Sequence, residues 1–381
     1  MKISKITLFL CLIWGWETGK AQQTGFYQEI PYETINHKII IPAEVEGIKG
    51  KYLLDTGAPV CLTYTRMKKG PEKESVAQRV KDAHNKEIIY RSVRLQSVKV
   101  GNTEFGEIPA LVFDEGNPLE YFGIDGIIGS NLFPDIVVRI DPRRKILILA
   151  SDTSRMGLDS RYATDMVRDE QNIPYIMIGL SPELREQVMF DTGSSSFYEM
   201  NEPIYHKIAG AKGIVTQSKG NGMLAMGIGG MEKKSDKYRV RIDTMSVGCA
   251  QFINVITVTM NAFSSRIGNA LLSYGSVALD FPGNKFYFIP DDTVPADLNY
   301  KSWNVEVIAS GDSLMAGVVW QSMAGQLEGG EKVIAINGKR YDKIDPGKAL
   351  TTSRLRIEGE EAVITVIDRE GREKTLTIRK E

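Results

Sequence analysis

The feature that most constrains this chain is that it contains itself twice. Tyr52-Leu53-Leu54-Asp55-Thr56-Gly57-Ala58 returns as Val188-Met189-Phe190-Asp191-Thr192-Gly193-Ser194, an apolar strand running into Asp-Thr-Gly both times. Upstream, Ile39-Ile40-Ile41 corresponds to Tyr175-Ile176-Met177-Ile178, each read as the partner strand of a hairpin. Downstream, Val98-Lys99-Val100-Gly101 answers Met245-Ser246-Val247-Gly248, with Phe105 and Phe252 trailing at the same distance. Ile127-Ile128-Gly129 then matches Arg266-Ile267-Gly268, each followed by a short helix-like stretch. Both copies close on an aspartate-led turn, Asp141 to Lys145 before Ile146-Leu147-Ile148-Leu149 and Asp280 to Lys285 before Phe286-Tyr287-Phe288-Ile289, which reads as a hairpin. The same landmarks in the same order predict two homologous β-rich lobes, residues 28–150 and 160–290.

A carboxylate ending an apolar strand is costly to bury alone, and its usual remedies are a partner, hydrogen bonds or a shifted pKa. Two related copies supply each other's remedy. If the lobes pack about a pseudo-twofold axis, Asp55 and Asp191 face each other and share a proton, one acting as base and the other as acid. Gly57 and Gly193 let the backbone turn sharply and bring its N–H groups to the carboxylates. Thr56 and Thr192 are placed to hydrogen-bond across the interface, and Ser194 carries a hydroxyl beside its aspartate.

These two Asp-Thr-Gly turns, each followed by an apolar-apolar-Gly strand, resemble the aspartic peptidases, both the single-chain two-lobe pepsin type and the half-size retroviral type. The resemblance covers residues 28–290. It implies a mainly β fold of two acid-protease-type β-barrel lobes, with Ile127-Ile128-Gly129 and Arg266-Ile267-Gly268 as the psi-shaped support behind each loop. It also implies general acid/base activation of water by Asp55 and Asp191, with no metal or organic cofactor. Two departures carry expectations. Ala58 lacks the hydroxyl that Ser194 keeps, which raises the dyad's pKa values and predicts a mildly acidic to near-neutral working range. Arg266 stands where the second support strand should be apolar, which predicts a weaker second half-site.

A peptidase of this kind must cover its substrate. The glycine-rich stretch from Gly220 to Gly230 offers a mobile lid with an apolar centre, and Gly222, Met223, Leu224 and Gly227 are its candidate flap residues. The corresponding segment of the first copy, about Lys81 to Arg91, is charged and lacks that signature.

From Trp303 the pattern changes. Gly317-Val318-Val319-Trp320, then Gly329-Gly330-Glu331-Lys332-Val333-Ile334-Ala335-Ile336-Asn337-Gly338, resembles a bacterial PDZ domain. Val363 to Ile378 reads as its closing hairpin. The resemblance implies a small α+β domain over residues 300–381 that binds a peptide, or the C-terminus of a polypeptide, by strand addition. A folded module that only supports the second lobe is the plainer alternative.

Lys2 and Lys5, the apolar run from Ile6 to Trp16, and Gly19 and Ala21 read as a signal peptide over residues 1–21, cut after Ala21. The run falls short of the roughly 20 residues that span a bilayer, so no lasting membrane anchor is expected. The expected location is periplasmic or extracellular. Cys61 and Cys249 remain after that cut, too few for a disulfide-built scaffold; they are expected as buried, unpaired thiols, with a bridge between them as the alternative that spacing does not decide.

Lys and Arg total 47 against 48 Asp and Glu, a net charge of −1, so no positive field selects nucleic acid. His37, His84 and His206 lie far apart without metal-ligand spacing, and no nucleophile elbow or phosphate-binding loop occurs. The sequence therefore reads as a secreted or periplasmic aspartic endopeptidase acting on polypeptides. The rival from another class is a non-catalytic peptide-binding protein that uses the interlobe cleft and the PDZ-like domain.

Overall fold

Branched apolar runs separated by Gly-, Asn- and Asp-led turns become strands here, and strands dominate the described residues. The computed structural model describes residues 25–81, 87–224, 226–227, 230–351 and 357–381. The expected signal peptide and its cut after Ala21 lie outside the described residues, as do His84 and the Ala225, Ile228 and Gly229 positions of the glycine-rich stretch. No helix among the described residues is long and apolar enough to cross a membrane.

Around Asp55 the strand Ile48–Asp55 runs parallel to Gly126–Gly129, with Asp55 opposite Gly129. Cys61–Leu62 flanks that second strand antiparallel, placing Cys61 opposite Ile127. The arrangement recurs around Asp191. Arg185–Asp191 runs parallel to Arg266–Gly268 with Asp191 opposite Gly268, and Tyr198–Asn201 flanks it with Tyr198 opposite Ile267. The repetition extends to turn geometry. The two-residue turns after Val100 and Val247 are opened by Gly101 and Gly248 with φ of 61° and 59°, a left-handed conformation that favours glycine.

The two closing hairpins meet edge to edge. Val137–Asp141 pairs antiparallel with Gly275–Asp280, Val137 opposite Asp280 and Ile140 opposite Val277. Ile146–Ala150 and Lys285–Pro290 extend this sheet outward on either side. Asp141 and Asp280 accept from the N–H groups of Arg144 (3.1 Å) and Gly283 (2.9 Å), which fixes both turns. One buried apolar cluster runs through both halves and contains Leu54, Ile128 and Val138 together with Phe190, Ile267 and Phe286. Side chains from both copies therefore leave water together, which makes the seam part of the core.

Residues from Val305 onward have a core of their own, built on Val305, Leu314, Val333, Ile364 and Ile378. Its strands Val305–Ser310 and Ser313–Trp320 form a hairpin, and Glu361–Ile367 closes on Glu373–Arg379. This module is sewn to the preceding fold twice. Ser313–Trp320 adds to the edge of Ile214–Gly222, Trp320 opposite Gly220 and Val319 opposite Asn221. Its helix Pro346–Thr351 packs on the 3-10 turn Pro118–Phe122. Cys61 is a buried free thiol, as expected, but Cys249 is free and exposed, because it occupies the tip of the two-residue turn before Ala250.

Candidate active site

The parallel pairings carry Asp55 and Asp191 to the same point of the seam. Asp191 is buried and Asp55 half-buried, and their carboxyls hydrogen-bond to each other. The threonines lock the approach. The N–H of Thr56 donates to the Thr192 hydroxyl and that of Thr192 to the Thr56 hydroxyl, both at 3.0 Å across 136 residues of sequence. Each hydroxyl donates onward to the opposite strand, Thr56 to the Phe190 carbonyl at 2.6 Å and Thr192 to the Leu54 carbonyl at 2.8 Å. Four bonds thus tie two loops whose backbone donors would otherwise be buried unpaired.

The glycines have a sharper reason than turning. A Cβ on Gly57 would sit 2.7 Å from the Asp191 carboxyl carbon, and one on Gly193 would sit 2.4 Å from that of Asp55. Each loop is bare where the other loop's acid lies. The N–H of Gly57 also donates to Asp55 at 2.9 Å, while in the second copy the donor is the N–H of Ser194, 3.1 Å from Asp191. The Ser194 hydroxyl accepts instead from the N–H of Ser196 at 3.2 Å. Its expected part as a carboxylate donor thus falls to its backbone.

Burial, and then the charge of Asp191, push the Asp55 carboxyl up to about 8, against the pull of Lys38 and the Gly57 N–H. Burial is therefore the first cause of the raised Asp55 carboxyl. The Lys38 ammonium donates to the Gly193 carbonyl. Cys61 is raised by burial and then by Asp55, so its thiol is neutral.

Arg266 departs furthest from expectation. It is buried, its Nη1 lies 2.9 Å from Asp191 Oδ2, and its Nε lies 2.9 Å from Glu199. Burial works against its charge, yet Glu199 and Asp191 hold it above its ordinary value. The arginine pairs with the acid at the end of the neighbouring strand Arg185–Asp191.

Both aspartates open onto a cleft of about 1120 Å³. Leu53, Leu119 and Ile127 line it from the first copy, Met189, Phe197 and Ile256 from the second. Of the candidate flap residues, Leu224 lines the cleft, with its N–H donating to Glu232 at 2.6 Å. Gly222 and Met223 do not; they meet the C-terminal module, where the Met223 N–H donates to the Gly317 carbonyl at 3.4 Å. Gly227 pairs with Gly230 in a two-residue ladder at the hairpin's outer part. The lid is thus bound at its base rather than free. Beneath it lies a buried ion pair, Glu232 with Lys237 at 2.7 Å. The charged hairpin of the first copy also reaches the site, since Arg79 and Val80 line the cleft.

Sequence reasoning missed the reach of Arg266, the Glu199 behind it and the Glu232–Lys237 pair. The only signal was a charged residue in an apolar slot. His37 and His206 are exposed and take no part in the dyad.

Comparison with known proteins adds three findings. Residues 41–132, which hold the first Asp-Thr-Gly turn and its support strand, match the family model described as aspartyl protease. That match supports aspartic protease activity. A search of curated proteins gives no match. Among solved structures the protein is similar to a retropepsin-like aspartic protease from Rickettsia conorii, at 24% identity and a TM-score of 0.26, over 34% of this chain and 94% of that one.

Proposed function

We propose that the protein is a secreted or periplasmic aspartic endopeptidase, with lobes 28–150 and 160–290 about a pseudo-twofold axis and a PDZ-like domain over 300–381. The observation that carries the reading is the reciprocal packing of Asp55 against Gly193 and Asp191 against Gly57. Two carboxyls so close cannot both ionise easily, so they hold one proton between them. The ionised member takes a proton from a water seated between them. The oxygen bonds to the scissile carbonyl carbon while the protonated member gives its proton to the carbonyl oxygen, forming a gem-diol. Collapse of the gem-diol passes a proton to the leaving amine and breaks the C–N bond, which returns the dyad to its starting state.

The cleft's mostly apolar walls suit an extended polypeptide with apolar side chains. The C-terminal module holds both rims, through the Asn221–Val319 seam and through its helix on the Pro118–Phe122 turn. This supports a module that seats the lid, with peptide capture by its own strands as an added role. Removal of residues 1–21 accompanies export.

Incubation of an unfolded protein in water enriched in ¹⁸O, across about pH 3 to 8, tests the reading. New C-termini carrying the label at sites inside the polypeptide are expected. Intact, bound polypeptide without cleavage would establish the rival, a binding protein.

A further inference from the structure

The pseudo-symmetry of the site is broken at one charged contact. Ile127 lies opposite Leu53, two residues before Asp55, and Arg266 lies opposite Met189, two residues before Asp191. Equivalent positions therefore hold an isoleucine in the first copy and, in the second, an arginine whose guanidinium reaches the acid. We propose that Arg266 fixes the dyad's negative charge on Asp191, making Asp191 the base that takes the proton of water and Asp55 the acid that polarises the substrate carbonyl.

This assignment rests on the peptidase reading for its chemistry but on geometry for its charges. The guanidinium is held on three sides, by Asp191 at Nη1, by Glu199 at Nε and by the Met260 sulfur 3.4 Å from Nη2. Glu199 is itself fixed by the Ser196 hydroxyl at 2.8 Å. A buried cation placed this way stabilises a neighbouring carboxylate and leaves the remaining proton to the other acid. Two groups act in the opposite sense at Asp55, Lys38 and the Gly57 N–H, and burial and the charge of Asp191 outweigh them. Lys38 directs its ammonium to the Gly193 carbonyl and offsets part of the burial of Asp55. Cys61 faces Asp55 as a neutral thiol. Asp55, half-buried and without an arginine of its own, is the member on which desolvation acts unopposed by a salt bridge.

In the forward step Asp191 accepts the water proton, the water oxygen bonds to the carbonyl carbon, and the Asp55 proton moves to the carbonyl oxygen. In the return step the proton on Asp191 goes to the amine nitrogen, the C–N bond breaks, and Asp55 recovers a proton from the gem-diol. Arg266 acts through Asp191 and is a positioning residue.

The test is a ¹³Cγ-aspartate NMR titration of the intact protein, with the two resonances assigned through Asp55→Asn and Asp191→Asn, together with pH profiles of kcat/KM. On lowering the pH from about 10 to about 6, proton uptake is expected at Asp55 alone. Arg266→Gln should spread the uptake over both resonances and move the acid limb of kcat/KM upward by about one pH unit, a roughly tenfold loss on that limb. Arg266→Lys should restore most of it. If Arg266→Gln does not fold, the pair Arg266→Gln with Glu199→Gln removes the unpaired buried charge and takes its place. First uptake at Asp191 in the wild type overturns the proposal, as does a folded variant with unmoved resonances and limbs. A wild type that titrates as expected but cleaves no polypeptide supports the charge assignment and defeats the peptidase reading instead.

Discussion

Thr56 and Thr192 each donate a backbone N–H to the other's hydroxyl at 3.0 Å, so that neither loop is satisfied without its counterpart. The two Asp-Thr-Gly turns are thereby one structural unit. Thr56→Val keeps the shape but removes the acceptor for Thr192 and the donor to Phe190. A loss of about 1–3 kcal/mol is expected in urea unfolding, with Thr56→Ser close to wild type. Because the residues share partners, the double valine variant should cost less than the two single losses together.

Stability should depend on pH through Asp55. Its carboxyl is raised from 3.8 to about 8 in the folded protein. Between those values the native state keeps a proton that the unfolded state has released, so the associated stability is complete below the lower value and lost as pH rises through the upper one. Asp55→Asn removes that dependence. It should match the wild type at about pH 4 and exceed it by roughly 1–3 kcal/mol at about pH 8. Unfolding free energies at the two pH values check this, and a wild type that gains on the variant with rising pH contradicts it.

The ion pair under the lid supports the only cleft-lining residue among the candidate flap positions. Glu232 binds both the Leu224 N–H and Lys237, and both charged side chains are buried. Lys237→Met takes the ammonium away from a buried carboxylate, and a cost of about 3–5 kcal/mol is expected. In the hairpin this should appear as faster amide exchange around Leu224 and a raised KM, with kcat less affected.

The seam with the C-terminal module is tested by a single methyl-bearing side chain. A Cβ on Gly317 would lie 2.7 Å from the Met223 carbonyl oxygen, backbone that cannot yield cheaply. Gly317→Val should push the hairpin off the module and weaken substrate affinity about tenfold or more, while the module keeps its own core. Unchanged affinity in a folded variant would remove the seating role.

The dyad was legible in the sequence because a duplicated strand-to-glycine pattern brings equivalent residues together wherever two copies pack symmetrically. Asp55, Thr56, Gly57 and their counterparts needed no distances to be found. Arg266 was visible only as a charged residue in an apolar slot. Its meaning depends on parallel register, which sets it two residues before Asp191 on the facing strand and lets a long side chain reach the acid. Gly222 and Met223 looked like a free lid because nothing in their composition records that Gly317 lies against them. Cys249 was expected to pack as a hydrophobe, but a two-residue turn has no interior.

If Asp55 and Asp191 act together on one water, neither can be spared. Initial rates of cleavage of one unfolded polypeptide by the wild type, Asp55→Asn and Asp191→Asn, each shown to be folded, test it most directly. Either substitution alone is expected to lower turnover on the order of a thousandfold or more. Wild-type turnover in either variant would contradict it.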